Sequence, residues 1–391
     1  MKEPIKIYYF SPYDILRPRT NQVLDMRFCE GFAQNGCEVE MMVPYVFRRD
    51  NIKKSELFKI YEVEQKFKTR YLPTLFFSDV NGKWHFFIIS ILNTFRFVRI
   101  IFQCTSGKKV ILSRSPALLL SFLLMRKILG GKNLKIICWA HEIQGKITLR
   151  WVYKNADSII GTNSMITDDL KKNYKIDEKK LGISLNPISE YQLHHRISKA
   201  EARKHLSIQT DKPLIVYTGK LSIGQQEAEY ILQSAAQLNK YHFILTGGKP
   251  IVVKHYQDWC VKKDIQNVYF TGYIHDYSQI KYYQFAADVL ISYYTPKEHN
   301  VRYNFPSKIC EYMLTGNPMV TPDYPATSDI LNERNTIFVK PENMEELAAG
   351  IKKAVDEKEF SGKIAERAFL DVQEITFKKR AKILLEFIEN L

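Results

Sequence analysis

The sequence predicts an α/β protein of two doubly wound domains facing a central cleft. Three observations carry that expectation. The chain has 391 residues, more than a single core usually organises. Short β-type apolar runs alternate with longer amphipathic stretches in both halves. Asn186-Pro187 interrupts that rhythm between the halves. Hydrophobic residues at 45% and charged residues at 25% fit a soluble globular protein.

In the first half, strands are expected at Ile5–Phe10, Val39–Val43, Val110–Ser113, Leu134–Trp139, Ser158–Gly161 and Gly182–Leu185. Helices are expected at Asn21–Gln34, Pro116–Leu129 and Ser164–Asn173, with Asn21 as a cap and Asn35-Gly36 as a stop. The second half repeats the pattern. Its strands fall at Leu214–Thr218, His242–Thr246, Val268–Phe270, Val289–Ser292, Pro318–Val320 and Thr336–Val339. Its helices fall at about Gln225–Leu238, Pro250–Lys262, Tyr277–Phe285, Ser307–Leu314 and Met344–Val355. Strands that alternate with helices imply parallel sheets covered on both faces, hence two Rossmann-like domains at 1–187 and 188–375. A last helix is expected near Lys378–Ile388.

The net charge of +15 is unevenly spread. Residues 83–150 hold twelve Lys or Arg and one acid, Glu142, which suggests attraction to an anionic surface. Phe86–Gln103 is apolar, yet Arg96 and Arg99 inside it argue against a transmembrane span. It reads either as a helix packed in the first domain or as a surface helix dipping into lipid headgroups. No nucleic-acid motif accompanies the charge, so a nucleic-acid partner is not expected. The six cysteines lack a Cys-x-x-Cys pair, and neither a metal site nor a disulfide framework is expected. Met1-Lys2-Glu3-Pro4 leads straight into strand-like residues, so no leader is expected and the protein reads as cytoplasmic.

The most informative stretch runs from Phe305 to Val320. Pro306 suits a helix start, where its missing N–H costs nothing. A helix start leaves free N–H groups and a positive dipole end, which bind anions. Lys308 adds a full charge there, and Glu311 one turn on can accept hydrogen bonds from a sugar hydroxyl. Gly219-Lys220 follows the first strand of the second half, where a doubly wound domain delivers its ligand loop. Gly219 permits close backbone approach, and Lys220 either meets a phosphate or is an ordinary solvated lysine. Gly247-Gly248 after the next strand allows a sharp turn under a ligand, or is only a turn. His141-Glu142 ends a buried strand in the first half; His141 is a ligand contact or a structural histidine, and Glu142 a partner for a nearby cation. Arg17, Arg19 and Thr20 in the first loop, and Arg114 after the third strand, are candidate phosphate or acceptor contacts or an exposed basic surface. No Gly-x-x-x-x-Gly-Lys-Ser/Thr loop is present, which argues against an NTPase.

These motifs resemble the retaining glycosyltransferases of family four, which have the GT-B fold. In that family a Glu, seven residues and a second Glu precede a Gly-x-Pro turn. Glu311 matches the second Glu, and Tyr303 stands where the first would be. The resemblance implies that Glu311 holds the nucleotide ribose. Tyr303, Asn304, Pro306 and Ser307 would line the donor site, and Gly272, Tyr273 and Ile274 the base site. Lys220 and Lys308 would stabilise the leaving diphosphate, and His141 would orient the donor sugar. The family's second Lys after Gly219-Lys220 and its Gly-Gly pair in the first loop are replaced here. The resemblance further implies transfer from a nucleotide-diphosphate sugar to a hydroxyl with retention, and a last helix that crosses back to the first domain. No Asp-x-Asp metal grip occurs, and no cofactor is expected beyond the sugar nucleotide. The expected partners are the nucleotide-sugar donor, a glycan or lipid-linked acceptor of bacterial surface polysaccharide synthesis, and the inner membrane face met by the basic 83–150 region. The rival readings are a nucleotide-sugar or polyanion binding protein without transfer activity, and a nucleotide-sugar epimerase.

Overall fold

The computed structural model describes residues 5–16, 20–45, 53–73, 95–100, 108–131, 133–143, 147–224, 226–295 and 301–391. Arg17, Arg19, the Thr20 side chain and most of Phe86–Gln103 lie outside the described residues; residues 95–100 are helical. The chain divides into two compact units, residues 1–191 with 376–391, and residues 192–375.

The first unit contains β1 (Lys6–Phe10), α1 (Thr20–Gln34), β2 (Glu38–Tyr45), β3 (Lys68–Pro73), β4 (Lys109–Ser113), α2 (Pro116–Leu129), β5 (Leu134–Ala140), α3 (Ile147–Asn155), β6 (Ser158–Gly161), α4 (Ser164–Tyr174) and β7 (Leu181–Ile183). Its seven strands are parallel in the order β3-β2-β1-β4-β5-β6-β7. The order reverses between β1 and β4, and crevices at such switch points take ligands. One face is covered by α1 and by the last helix of the chain, Phe377–Glu389. Phe28 anchors this layer, with its ring 4.3 Å from Trp139 and 4.8 Å from Phe377. A Cβ on Gly31 would lie 2.7 Å from the Phe377 carbonyl oxygen, so only glycine lets the two helices pack this closely. On the other face Phe122 of α2 meets Phe10 and Phe97 at 4.8 and 4.7 Å.

The second unit contains α5 (Lys199–His205), β8 (Leu214–Thr218), α6 (Glu227–Gln237), β9 (His242–Thr246), α7 (Pro250–Lys262), β10 (Val268–Gly272), α8 (Ile280–Ala286), β11 (Val289–Ile291), α9 (Lys308–Thr315), β12 (Met319–Pro322), β13 (Ile337–Val339), α10 (Met344–Asp356) and α11 (Lys358–Val372); α12 is Phe377–Glu389 of the first unit. Its six strands are parallel in the order β10-β9-β8-β11-β12-β13. The core joins Ile215, Leu232, Leu245, Tyr256, Val289, Val320, Leu347 and Ile351. Asp288, before β11, accepts from Lys199 Nζ at 2.8 Å, Arg203 Nη2 at 2.7 Å and the Leu214 N–H at 2.8 Å. Burial works against its charge, but these bonds and cations hold its carboxyl below the usual range.

Several elements differ from the sequence expectation. β3, α3, α5 and α11 were not expected. β3 lies at the sheet edge, and its sequence KTRYLP lacks a clean alternation. α3 is rich in β-branched and aromatic residues, which favour strands in isolation; Leu149, Val152 and Tyr153 are buried there. The expected helix start at Pro306 is shifted: α9 begins at Lys308, and the Ile309 N–H closes a turn onto the Pro306 carbonyl at 3.1 Å. Gln226 adopts a left-handed conformation with φ 64°, so α6 begins at Glu227 instead of Gln225.

Candidate functional site

In the second unit the carboxyl ends of β8, β9 and β10 meet at four glycines. Tyr312, fully buried on α9, accepts from the Thr218 N–H at 2.8 Å and lies 2.9 Å from Thr218 Oγ1. Burial drives its phenol far above the ordinary range, so it remains neutral. These bonds pin the end of β8 to α9. Gly219 follows at once. Gly247, at φ +106°, comes so close that a Cβ there would lie 1.9 Å from the Gly219 carbonyl oxygen. The Gly247 N–H donates to the Gly272 carbonyl at 2.8 Å. Gly248 turns at φ +83° against Leu221 and Val253, and Gly272 has φ +72°.

Lys308 enters this group from the first position of α9. A Cβ on Gly219 would lie 3.0 Å from its Nζ, so the ammonium sits beside the glycine backbone. A cation at a helix amino terminus opposes the dipole. Here the Nζ rests 4.1 Å from the centre of the Tyr217 ring, which offsets part of that cost. The Tyr217 hydroxyl donates to the Lys220 carbonyl at 3.2 Å and braces the loop. Lys220 itself is exposed.

Glu311 lies one turn into α9. One of its oxygens accepts from the Tyr277 hydroxyl and the other from Gln284 Nε2 at 2.8 Å. Gln284 Nε2 also lies 3.3 Å from Thr218 Oγ1, so a chain of hydrogen bonds links Glu311 to the end of β8. Gln284 is only 4% exposed. The sequence reading did not single out Gln284 or Tyr277. The available signal was a glutamine amid aromatic residues on a helix whose neighbours are core. Tyr303 and Asn304 occupy the turn before Pro306; the Asn304 N–H bonds to the Val301 carbonyl at 3.3 Å. Ser307 precedes α9 in a helical conformation. Tyr273 is 60% exposed, its ring edge-on to His275, and Ile274 is partly buried.

The first unit presents a different group. Asp25 of α1 has no exposure and accepts from Tyr9 Oη at 2.5 Å, Ser11 Oγ at 2.8 Å and Arg114 Nη1 at 3.1 Å. Arg114, at the end of β4, places Nη2 2.9 Å from His141 Nδ1, and its Nε faces Nε2. Burial and the guanidinium charge push the His141 pKa well below the usual imidazole range. His141 is thus neutral, a hydrogen-bonding group and not a proton donor. The structure joins Arg114 and His141, two sequence candidates, directly, and ties Arg114 to Asp25, which the reading missed because an Asp inside an amphipathic helix resembles any solvated residue. Glu142 is partly buried in the bend after β5. Among the described residues no cluster of three or more His, Cys, Asp or Glu is arranged to hold a metal ion.

Residues 212–357 match the family model described as Glycosyl transferases group 1. An uncharacterized glycosyltransferase of Methanocaldococcus jannaschii is 23% identical over 225 residues, covering 55% of each chain; the match thus spans about half the length of that curated relative. The structure superposes on a glycosyltransferase from Rickettsia africae with TM-score 0.74 at 14% identity, covering 100% of this chain and 99% of that one. It also superposes on Anabaena HepE, solved in complex with UDP, with TM-score 0.74 at 14% identity, covering 99% and 100%. The fold is GT-B.

Proposed function

We propose, from the match of residues 212–357 to the group 1 glycosyl transferases, that the chain transfers a sugar from a nucleotide-diphosphate donor to a hydroxyl acceptor with retention. The observation that carries this reading is the approach of Lys308 Nζ to the Gly219 backbone, at strand ends where Gly247 leaves no room for a side chain. Bare backbone, a helix start and an ammonium together suit a diphosphate. The bound UDP of Anabaena HepE supports the same ligand class. In the reaction the anomeric carbon–phosphate oxygen bond breaks and the bond to the acceptor oxygen forms on the same face. The acceptor proton passes to the departing phosphate oxygen, so no protein base is required. Lys308 and the start of α9 stabilise the charge that grows on the diphosphate, with exposed Lys220 as a supplementary cation. Glu311 holds the ribose, and its bonds to Tyr277 and Gln284 fix its orientation. The reading requires no metal and no further cofactor.

The acceptor side is read as a glycan or lipid-linked glycan of surface polysaccharide synthesis, met at the inner face of the plasma membrane. Its support is apolar surface within the basic tract: Ile128 is 75% exposed beside Lys127, and Ile147 is 86% exposed. No helix among the described residues is long and apolar enough to cross a membrane.

The test is release of nucleoside diphosphate from a panel of nucleotide sugars, with and without membrane extract. Lys308→Ala is expected to lower turnover by roughly 10²–10³, the usual loss of one charge-stabilising donor, and Lys220→Ala by less. Wild-type turnover in Lys308→Ala removes that residue from the mechanism. Nucleotide binding without release from any donor favours the non-catalytic binder.

A further inference from the structure

A cavity of about 510 Å³ opens in the second unit, at the opposite end of the sheet from the glycine loops. Leu214 and His242 begin β8 and β9 and are paired across the sheet, as are Ile244 and Tyr269 further along. Side chains alternate along a strand, so these four project from one face. The opposite face carries the core residues Ile215, Phe243, Leu245 and Phe270. On the cavity face, α8 packs on β8 and against α5. Tyr269 is 62% exposed. Tyr283 of α8 closes the cavity, and residues 206–210 form its side. Burial, and to a lesser extent the Tyr269 phenol, raise the Tyr283 pKa. A volume of this size lies within the range of about 300–1,000 Å³ typical of small-ligand sites.

The chemistry of the lining selects among ligands. None of the described residues lining the cavity is Asp, Glu, Lys or Arg, in a chain of net charge +15. A phosphate or other anion would find no cation, and a cationic ligand no carboxylate. What the cavity offers is two tyrosine rings, their hydroxyls, the Gln209 and Gln266 amides and the His242 ring. His242 Nδ1 lies 3.2 Å from Thr210 Oγ1. Flat apolar faces beside neutral donors and acceptors match a sugar ring, whose C–H face stacks while its hydroxyls form hydrogen bonds.

We propose that this cavity is a second carbohydrate site, which holds a neutral stretch of two or three sugar residues away from the glycine loops. In that role it keeps a growing or accepting glycan on the protein between transfers. The binding itself is argued from the cavity's own lining; only its use for a glycan acceptor rests on the transferase reading. The probes are maltotriose, cellotriose, mannotriose and chitotriose, followed by saturation-transfer NMR on the full chain. Adenosine and p-nitrophenol serve as aromatic controls, and UDP binding is measured in the same samples. At least one trisaccharide is expected to bind. Tyr269→Ala, a change at an exposed position, is expected to weaken it about tenfold, or about 1.4 kcal/mol, and to leave UDP affinity unchanged. His242→Ala is expected to act in the same direction. No saturation transfer from any trisaccharide, binding indifferent to both substitutions, or adenosine binding in the sugar's place overturns the proposal. Trisaccharide binding without UDP binding keeps the carbohydrate site and defeats the transferase reading instead.

Discussion

The two units share a strand order around their switch points but treat charge there in opposite ways. In the first, full charges are taken out of water and closed onto each other: Asp25, with no exposure, collects Tyr9, Ser11 and Arg114, and Arg114 in turn holds His141. In the second, the strand ends are bare backbone, and the cation Lys308 rests on an aromatic face beside Gly219. A closed buried network spends its electrostatics on shape, because each acceptor is already engaged. A glycine-lined end with an ammonium beside it keeps electrostatics for a ligand. The contrast teaches that equivalent places in two copies of one topology need not be electrostatically alike: the first closes its charges onto one another, and the second sets an ammonium beside bare backbone.

That contrast breaks most sharply at Asp25. Asp25→Ala strands Arg114 as a buried charge, and is expected to cost about 3–5 kcal/mol. Hydrogen exchange should show the loss in first-unit amides, with those of residues 192–375 unchanged. A cost below about 1 kcal/mol would mean that the network is not closed as described.

At Gly247 the expected effect is smaller in stability and larger in ligand. Gly247→Ala combines a left-handed φ with a Cβ driven into the Gly219 carbonyl, and is expected to cost about 2–3 kcal/mol. UDP affinity, measured by calorimetry, is expected to fall with it. Retained affinity would separate the glycine junction from the receptor.

The smallest effect concerns pH. Glu30 of α1 accepts from the Glu64 N–H, and burial raises its pKa to about 7, with Glu64 and Glu190 pushing in the same direction and Arg27 opposing them. Its folded pKa is above the unfolded one, so the folded state binds the extra proton between them. That contribution is complete below about pH 4.5 and is lost as pH rises through about 7. Glu30→Gln keeps an acceptor without the charge. It is expected to raise stability by about 1–2 kcal/mol at pH 8 and to change little at pH 5. His141 has the opposite sign: its folded pKa is depressed, so its contribution is lost as pH falls below about 6.5. Denaturant titrations at both pH values separate the two groups. A gain from Glu30→Gln that persists unchanged at pH 5 contradicts the assignment.

Much of the fold is legible in the residues themselves. Twelve of the parallel strands arise where an apolar run meets a glycine, proline or polar stop, because burial on both sheet faces demands uninterrupted hydrophobicity. Gly247-Gly248 and Lys308 likewise stood out, since glycine pairs at strand ends and a lysine at a helix start are local anomalies. What stayed hidden has a common cause. β3 and α3 have weak or contrary local preferences and exist through their packing against neighbours. Asp25, Gln284 and Tyr277 look ordinary in sequence because their importance lies in partners far along the chain: Asp25 and Arg114 are separated by 89 residues, Tyr277 and Glu311 by 34.

The amino-acid order alone determined that this is a two-part, parallel, doubly wound protein with a basic first half and glycines at the strand ends of the second. Periodicity and turn chemistry are local, and they survive in one dimension. Only the tertiary structure decided which polar groups are spent on each other and which lie beside bare backbone. Burial and pairing belong to distances between remote residues, and no local pattern encodes them.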